Sequence, residues 1–306
     1  MRWGVLGGGS RIYAKSLAPA FAAAGHEVVA LARRDGASFA PYDELLRRDD
    51  LESVYIPLPN DMHADWIHRC LDAGKHVLCE KPLTLSPNDT AAVFDHAESS
   101  GLTVLEAYMW PHHPRAQRLL QAAAAGELGT LQSGTARFSW PMNLASGDHR
   151  LDHRGAGALF DVGIYCLAPF LLAARREPVA CAATAVRNID GVDVTMSGWV
   201  DWGAGFTSAF HLSFDAPSAR VLTLAGSEAQ VQVAGMFVPG PHEPSDLLFT
   251  TRTGEHAETC PGANAYAAMV QHFADVVSGS AAPVFGQAES ERLARLLHDL
   301  HRASAR

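Results

Sequence analysis

Short apolar runs alternate with amphipathic stretches through the first third of the chain. Residues 3–6 read as a buried strand that stops at Gly7-Gly8-Gly9, residues 11–24 as a helix, and residues 27–32 (EVVALA) as a second strand. Further strands are expected at 53–56, 76–79 and 102–107, and further helices at 42–48, 62–73 and 87–99. Gly74 and Gly101 end two of these helices. Repeated strand–helix alternation predicts βαβ units and a parallel sheet. Strands this apolar are covered on both faces.

The pattern changes after about Trp110. Residues 113–125 read as a helix and 130–139 as a strand, and a glycine-rich segment at 155–163 opens a helix that runs to about 174. Between 179 and about 233 come longer strand-like runs: CAATAVRNI, DVTMSGWVDW, FTSAFHLSF, RVLTLAG and AQVQVAG. They suit a large, mostly antiparallel sheet. Two helices, 265–278 and 287–303, follow.

Composition narrows the class. The chain has 306 residues, enough for two domains, and 48% hydrophobic with 19% charged residues can build real cores. With 33 acidic against 24 basic residues the formal net charge is −9, which disfavours a general nucleic-acid partner. No apolar run approaches the ~18 residues of a membrane span, and no signal peptide is readable. The 5 cysteines, Cys70, Cys79, Cys166, Cys181 and Cys260, are scattered and show no CxxC spacing. Neither a disulfide framework nor a zinc–cysteine site is expected, and a reducing cytoplasm fits.

Gly7-Gly8-Gly9-Ser10-Arg11-Ile12 sits between the first strand and the first helix. Glycines there allow close approach of backbone to a pyrophosphate, and the helix N-terminus offers free N–H groups with partial positive charge. Gly7, Gly9, Ser10, Arg11 and Ile12 are therefore candidate cofactor contacts, although Ile12 replaces the third glycine of the usual fingerprint. An NAD site carries an acid at the end of the second strand. Here the strand ends Ala32-Arg33-Arg34-Asp35. The arginines suit a 2′-phosphate, which favours NADP, while Asp35 leaves NAD open. Residues 33–41 leave too little chain for the usual second crossover, so the domain is expected to be shortened after its second strand, with an edge stub at 38–40 and an open adenine side.

Several segments in order carry a resemblance. The glycine turn is followed by Pro57-Leu58-Pro59-Asn60 with His63, by Gly74-Lys75-His76-Val77-Leu78-Cys79-Glu80-Lys81-Pro82, and by Glu106-Ala107-Tyr108-Met109-Trp110. The chain resembles the Gfo/Idh/MocA oxidoreductases, in the branch of glucose–fructose oxidoreductase, dihydrodiol and xylose dehydrogenases. The resemblance implies an N-terminal Rossmann domain (1–112) and a C-terminal α/β substrate and oligomerisation domain (113–306). The second domain would carry the large, mostly antiparallel open sheet, which in the family often serves as a subunit interface, so a dimer or tetramer is expected. It also implies that Lys81 is the lysine beside the nicotinamide and that Pro59 and Asn60 line the nicotinamide ribose. Pro57, His63 and Glu80 fall on the cofactor side. Residues 155–165 (GAGALFDVGIY) match the signature GGGxxxDxGxH, with Ala156 for its middle glycine and Tyr165 for its histidine. Tyrosine at that position marks the branch named. Pro111 stands where relatives carry Arg.

Hydride transfer at an alcohol carbon needs a group that moves the hydroxyl proton. Free tyrosine has a pKa of about 10, and a nearby ammonium favours the phenolate. Tyr165 is thus assigned as proton donor or acceptor and Lys81 as its electrostatic and hydrogen-bonding support, with which of the two exchanges the proton with substrate left open. Asp161, four residues before Tyr165 on one helix face, orients a substrate hydroxyl or holds Lys81. Tyr108, Trp110, His113, Arg150 and His153 are candidate pocket residues, the two aromatics equally readable as core. His149 and His153, with His112-His113 nearby, lack a completing ligand set, and no metal is expected. The expected activity is NAD(P)-dependent oxidation of a secondary alcohol, or reduction of a ketone, on a sugar or cyclic polyol. Imine or aldehyde reduction, or a catalytically silent dinucleotide- or sugar-binding relative, are the alternatives.

Overall fold

The computed structural model describes residues 1–33, 40–145, 147–152, 157–235, 237 and 240–305. Contacts divide the chain into two units, Met1–Met109 with Asn264–Glu291 and Trp110–Ala263 with Arg292–Arg306. The first unit thus takes residues 264–291, which a single cut after 112 gives to the second.

In the first unit β1 (Arg2–Leu6), β2 (Glu27–Ala32), β3 (Ser53–Ile56), β4 (His76–Cys79) and β5 (Val104–Glu106) form a parallel sheet of order β2-β1-β3-β4-β5. The helices between them are α1 (Ala18–Ala23), α2 (Ala40–Leu46), α3 (His63–Asp72) and α4 (Pro87–Ser100). Their ends follow local rules. The Ser86 hydroxyl accepts the Asp89 amide, Pro87 fills the first turn of α4, and Gly101 ends it at φ 67°. α3 buries His63, Trp66, Ile67, Cys70 and Leu71, one stripe at helical spacing.

The link from β2 to β3 carries the seven-residue α2 and, among the described residues, no strand. Ala40 opens α2, so it is not part of an edge strand. Arg34, Asp35 and the rest of the expected stub lie outside the described residues. α7 (Ala265–Val277) closes this unit, with Phe273 packed on Trp3 at a centroid distance of 5.0 Å.

The second unit holds α5 (Pro114–Ala124), β6 (Leu131–Ser139) and α6 (Ala158–Ala174). Its remaining strands are β7 (Ala180–Arg187), β8 (Asp193–Asp201), β9 (Thr207–Ser213), β10 (Ala219–Gly226), β11 (Ala229–Ala234), β12 (Ser245–Thr251) and β13 (Gly254–Cys260). They form one sheet of order β13-β12-β11-β10-β6-β9-β8-β7, antiparallel except for the β6–β9 pair. β12 and β13 lie beyond the strand pattern read from the sequence. α6 is apolar almost throughout and packs on β6, β8 and β9. α8 (Gln287–Ala303) begins in the first unit and ends in the second. Among the described residues no helix is long and apolar enough to cross a membrane.

Candidate active site

The glycine turn is pinned to the end of β2. The Gly7 and Gly8 amides both donate to the Ala32 carbonyl at 2.9 Å, and the Ser10 amide donates to Gly7 O at 2.8 Å. Gly7 takes φ 95°, and a Cβ on it would lie 3.2 Å from both Pro57 O and a Leu58 methyl. Bare backbone therefore runs against the loop that follows β3. The helix beyond begins at Arg11, passes through a π-type turn (Tyr13–Leu17) and continues as α1. Ser10 Oγ accepts the Tyr13 amide at 3.3 Å. Arg33 lies over the turn: its Cδ is 3.7 Å and its Nε 3.9 Å from the point a Cβ on Gly9 would occupy. Exposed Gly9 and Arg11, half-buried Ser10 and Ile12, and the Arg33 cation thus surround a helix head, a donor set that fits a phosphorylated dinucleotide.

The turn that carries Lys81 is braced from three directions. Glu80 Oε1 accepts the hydroxyl of buried Tyr55 at 2.6 Å, and Glu80 Oε2 takes the Lys81 amide at 3.4 Å. The ring nitrogens of His63 lie 2.8 Å from Pro82 O and 2.9 Å from Leu58 O. Glu106 Oε1 accepts the Leu83 amide at 3.0 Å and its Oε2 the Ser290 hydroxyl at 2.8 Å. Burial pushes the Glu106 carboxyl up to about 7, against those two hydrogen bonds and the charge of Lys81. The peptide bond between Lys81 and Pro82 is cis. Lys81 itself is half-exposed, as are Pro59 and Asn60, which open the short 3-10 turn Asn60–Met62.

His63 corrects an expectation. It is 0% exposed, with a backbone carbonyl close to each ring nitrogen, so it is packed between two loops and offers no surface to a cofactor. Burial lowers its pKa below the ordinary imidazole value. Pro57 is also buried, and its carbonyl backs the glycine turn.

In the second unit α6 presents Asp161 in its first turn and Tyr165 one turn later. The Tyr165 ring packs edge-on against Phe138 at 5.5 Å and beside Phe237 at 5.6 Å. Asp161 is met by Arg150, whose Nε is 3.1 Å from Oδ2. Arg150 also bonds Asp148 through a guanidinium nitrogen at 2.9 Å, and its carbonyl accepts the Gly157 amide at 2.7 Å. Arg150 thus holds the start of α6. His153, Gly155 and Ala156 lie outside the described residues.

The remaining pocket candidates are placed inward. Tyr108 and Trp110 are each 1% exposed, and Tyr108 packs edge-on against Phe285 at 5.2 Å, so as placed they are core aromatics. His113 is 2% exposed and caps α5, its Nδ1 accepting the Arg115 amide at 3.2 Å. Sequence reasoning missed Tyr55, Ser290 and Asp193, and it quoted Glu106 without a role. An acid within an apolar strand end, as in VLE or VDV, was the available signal.

A phosphate-fitting glycine turn on a parallel α/β sheet, with a braced lysine turn in the same unit, defines an NAD(P)-dependent oxidoreductase. The chain belongs to the GFO/IDH/MocA family. Residues 1–108 match the model of the oxidoreductase family with NAD-binding Rossmann fold, and residues 116–232 match the GFO/IDH/MocA C-terminal domain. It is 34% identical to a D-xylose 1-dehydrogenase (NADP(+)) of Haloferax volcanii, over 99% of this chain and 97% of the relative. It is 33% identical to a dTDP-3,4-didehydro-2,6-dideoxy-alpha-D-glucose 3-reductase of Streptomyces violaceoruber, over 90% and 89%. A solved 3-ketoreductase from Actinomadura kijaniata, in complex with NADP and TDP-benzene, superposes with a TM-score of 0.88 at 28% identity, covering 99% of this chain and 97% of that one. That enzyme is also solved with one lysine replaced by Ala or Glu and with one tyrosine replaced by Phe.

Proposed function

We propose that the chain is an NADP-preferring enzyme that moves a hydride between the nicotinamide and a secondary alcohol or ketone of a sugar or cyclic polyol. The observation that carries this reading is the full-length likeness, at about one-third identity, to a xylose dehydrogenase and a ketosugar reductase. The preference for NADP is supported by Arg33 beside Gly9, where a guanidinium matches a 2′-phosphate.

When bound, the dinucleotide supplies or accepts the hydride. The glycine turn and the helix head would hold its pyrophosphate through backbone amides, and Pro59 and Asn60 would line the nicotinamide ribose. Tyr165 exchanges the proton of the reacting oxygen. Lys81 contributes the positive charge that favours a phenolate. Asp161, fixed by Arg150, turns a carboxylate oxygen toward a substrate hydroxyl. A lysine and a tyrosine are also the residue types replaced in the Actinomadura ketoreductase variants.

The test is turnover followed by nicotinamide absorbance, with D-xylose and other aldoses under NADP+ or NAD+, and with ketosugars under NADPH. Turnover that is faster with the NADP pair is expected. Tight NADPH binding without turnover of any aldose or ketosugar would overturn the sugar assignment, and preference for NADH would overturn the role of Arg33.

A further inference from the structure

Gly157 leads into α6 at φ 107°, and a Cβ on it would lie 2.4 Å from Oδ1 of Asp193. A side chain at 157 is thus excluded by both backbone and space. Asp193 is the first residue of β8 and is 1% exposed. Its Oδ2 accepts the Leu159 amide at 2.8 Å. Gly157 has no side chain with which to cap, so a carboxylate on the sheet satisfies the helix head.

This arrangement does more than a local cap. A Ser or Asn at the cap position is the ordinary way to satisfy a helix head without burying an acid, and position 157 excludes both. Burial here raises the Asp193 carboxyl to about 6, so the ionised cap is held at a cost. What the long-range contact adds is location. It joins the first turn of α6 to a fixed point on β8, while Arg150 holds the same turn through its carbonyl on Gly157 and its guanidinium on Asp161. Asp161 and Tyr165 follow one and two turns beyond Gly157 on this helix.

We propose that Asp193 is a positioning residue for the reaction, clamping the first turn of α6 to β8 and so setting where Asp161 and Tyr165 stand. The proposal rests on the role given to Tyr165 above.

The experiment compares Asp193→Ala, Asp193→Asn and Tyr165→Phe in the full chain, with kcat measured beside the Kd for NADPH by fluorescence. Asn keeps a carbonyl oxygen for the Leu159 amide, and Ala keeps none. Asp193→Ala is expected to lower kcat at least about tenfold, toward the roughly 10²-fold that a ~1 Å misplacement costs, with Kd nearly unchanged. Asp193→Asn is expected to restore most of kcat. A role confined to stability would lower the melting temperature and leave kcat of the folded enzyme alike in both variants. A folded Asp193→Ala enzyme with wild-type kcat, beside an inactive Tyr165→Phe, overturns the proposal. Should Asp193→Ala fail to fold, Asp193→Ser, too short to reach Leu159, is read against Asp193→Asn by the same rule. A fully active Tyr165→Phe enzyme overturns the role of Tyr165 itself, and the proposal with it.

Discussion

Arg33→Ala removes a guanidinium from beside Gly9 and leaves the glycine turn intact. Loss of a charge-assisted contact to phosphate costs about 1.5–3 kcal/mol, so Kd for NADPH is expected to rise roughly 10- to 10²-fold while Kd for NADH stays put. Titration of the variant with both cofactors decides it. Tyr165→Phe keeps the ring among Phe138 and Phe237 and removes the hydroxyl. A loss of about 10²–10⁴-fold in kcat is expected, with NADPH binding unchanged.

Glu106 yields a pH prediction. Its carboxyl sits at about 7 in the folded chain and near the ordinary 4.5 when unfolded, so the folded state holds the extra proton between those values. The stabilisation from that proton is complete below about pH 4.5 and is lost as pH rises through 7. Compared with Glu106→Gln, the natural chain should gain up to about 3 kcal/mol on acidification across that window, read by urea melts at both ends. Arg33 was singled out in the sequence because a cation at the end of a second strand suits a 2′-phosphate. Glu106 was not, because its partners Leu83 and Ser290 stand 23 and 184 positions away.

Among elements, α6 shows how a side chain is set in register. Gly134 on β6 lies under the Phe170 ring, and a Cβ there would come within 2.4 Å of it. Gly134→Ala forces helix and sheet apart, and a loss of about 1–3 kcal/mol in unfolding free energy is expected by denaturant titration. A matching fall in kcat would show that the position of α6 matters to Tyr165. α3 and α4 were legible from their pattern and the glycines that end them, α6 from the glycine-rich segment that opens it, and the five parallel strands from their apolar runs. The pair β12 and β13 was not. Its exposed second strand, GEHAETC, offers no alternating apolar face to find. His113 was grouped with the candidate pocket residues. Its use as a helix cap depends on the Arg115 amide, which residue type does not disclose.

On the scale of the whole molecule, alternation gave way to long antiparallel strands near Trp110, and that change was readable. The return of residues 264–291 to the first unit was not. α7 is amphipathic in the ordinary way, and nothing in its spacing says that Phe273 belongs on Trp3. A fragment of residues 1–109 should therefore expose Trp3 and leave Glu106 without Ser290. It is expected to melt without a cooperative transition, whereas the same fragment joined by a linker to 264–291 recovers one in calorimetry.

The same discontinuity has a consequence during synthesis. A ribosome that has finished Met109 must still make the stretch Trp110–Ala263, about 150 residues, before the missing helix emerges. At about 5–20 residues per second that is a wait of roughly 8–30 s. Through that interval the nascent nucleotide-binding unit lacks part of its own core, and it offers Trp3 as an apolar handle to any chaperone near the exit tunnel.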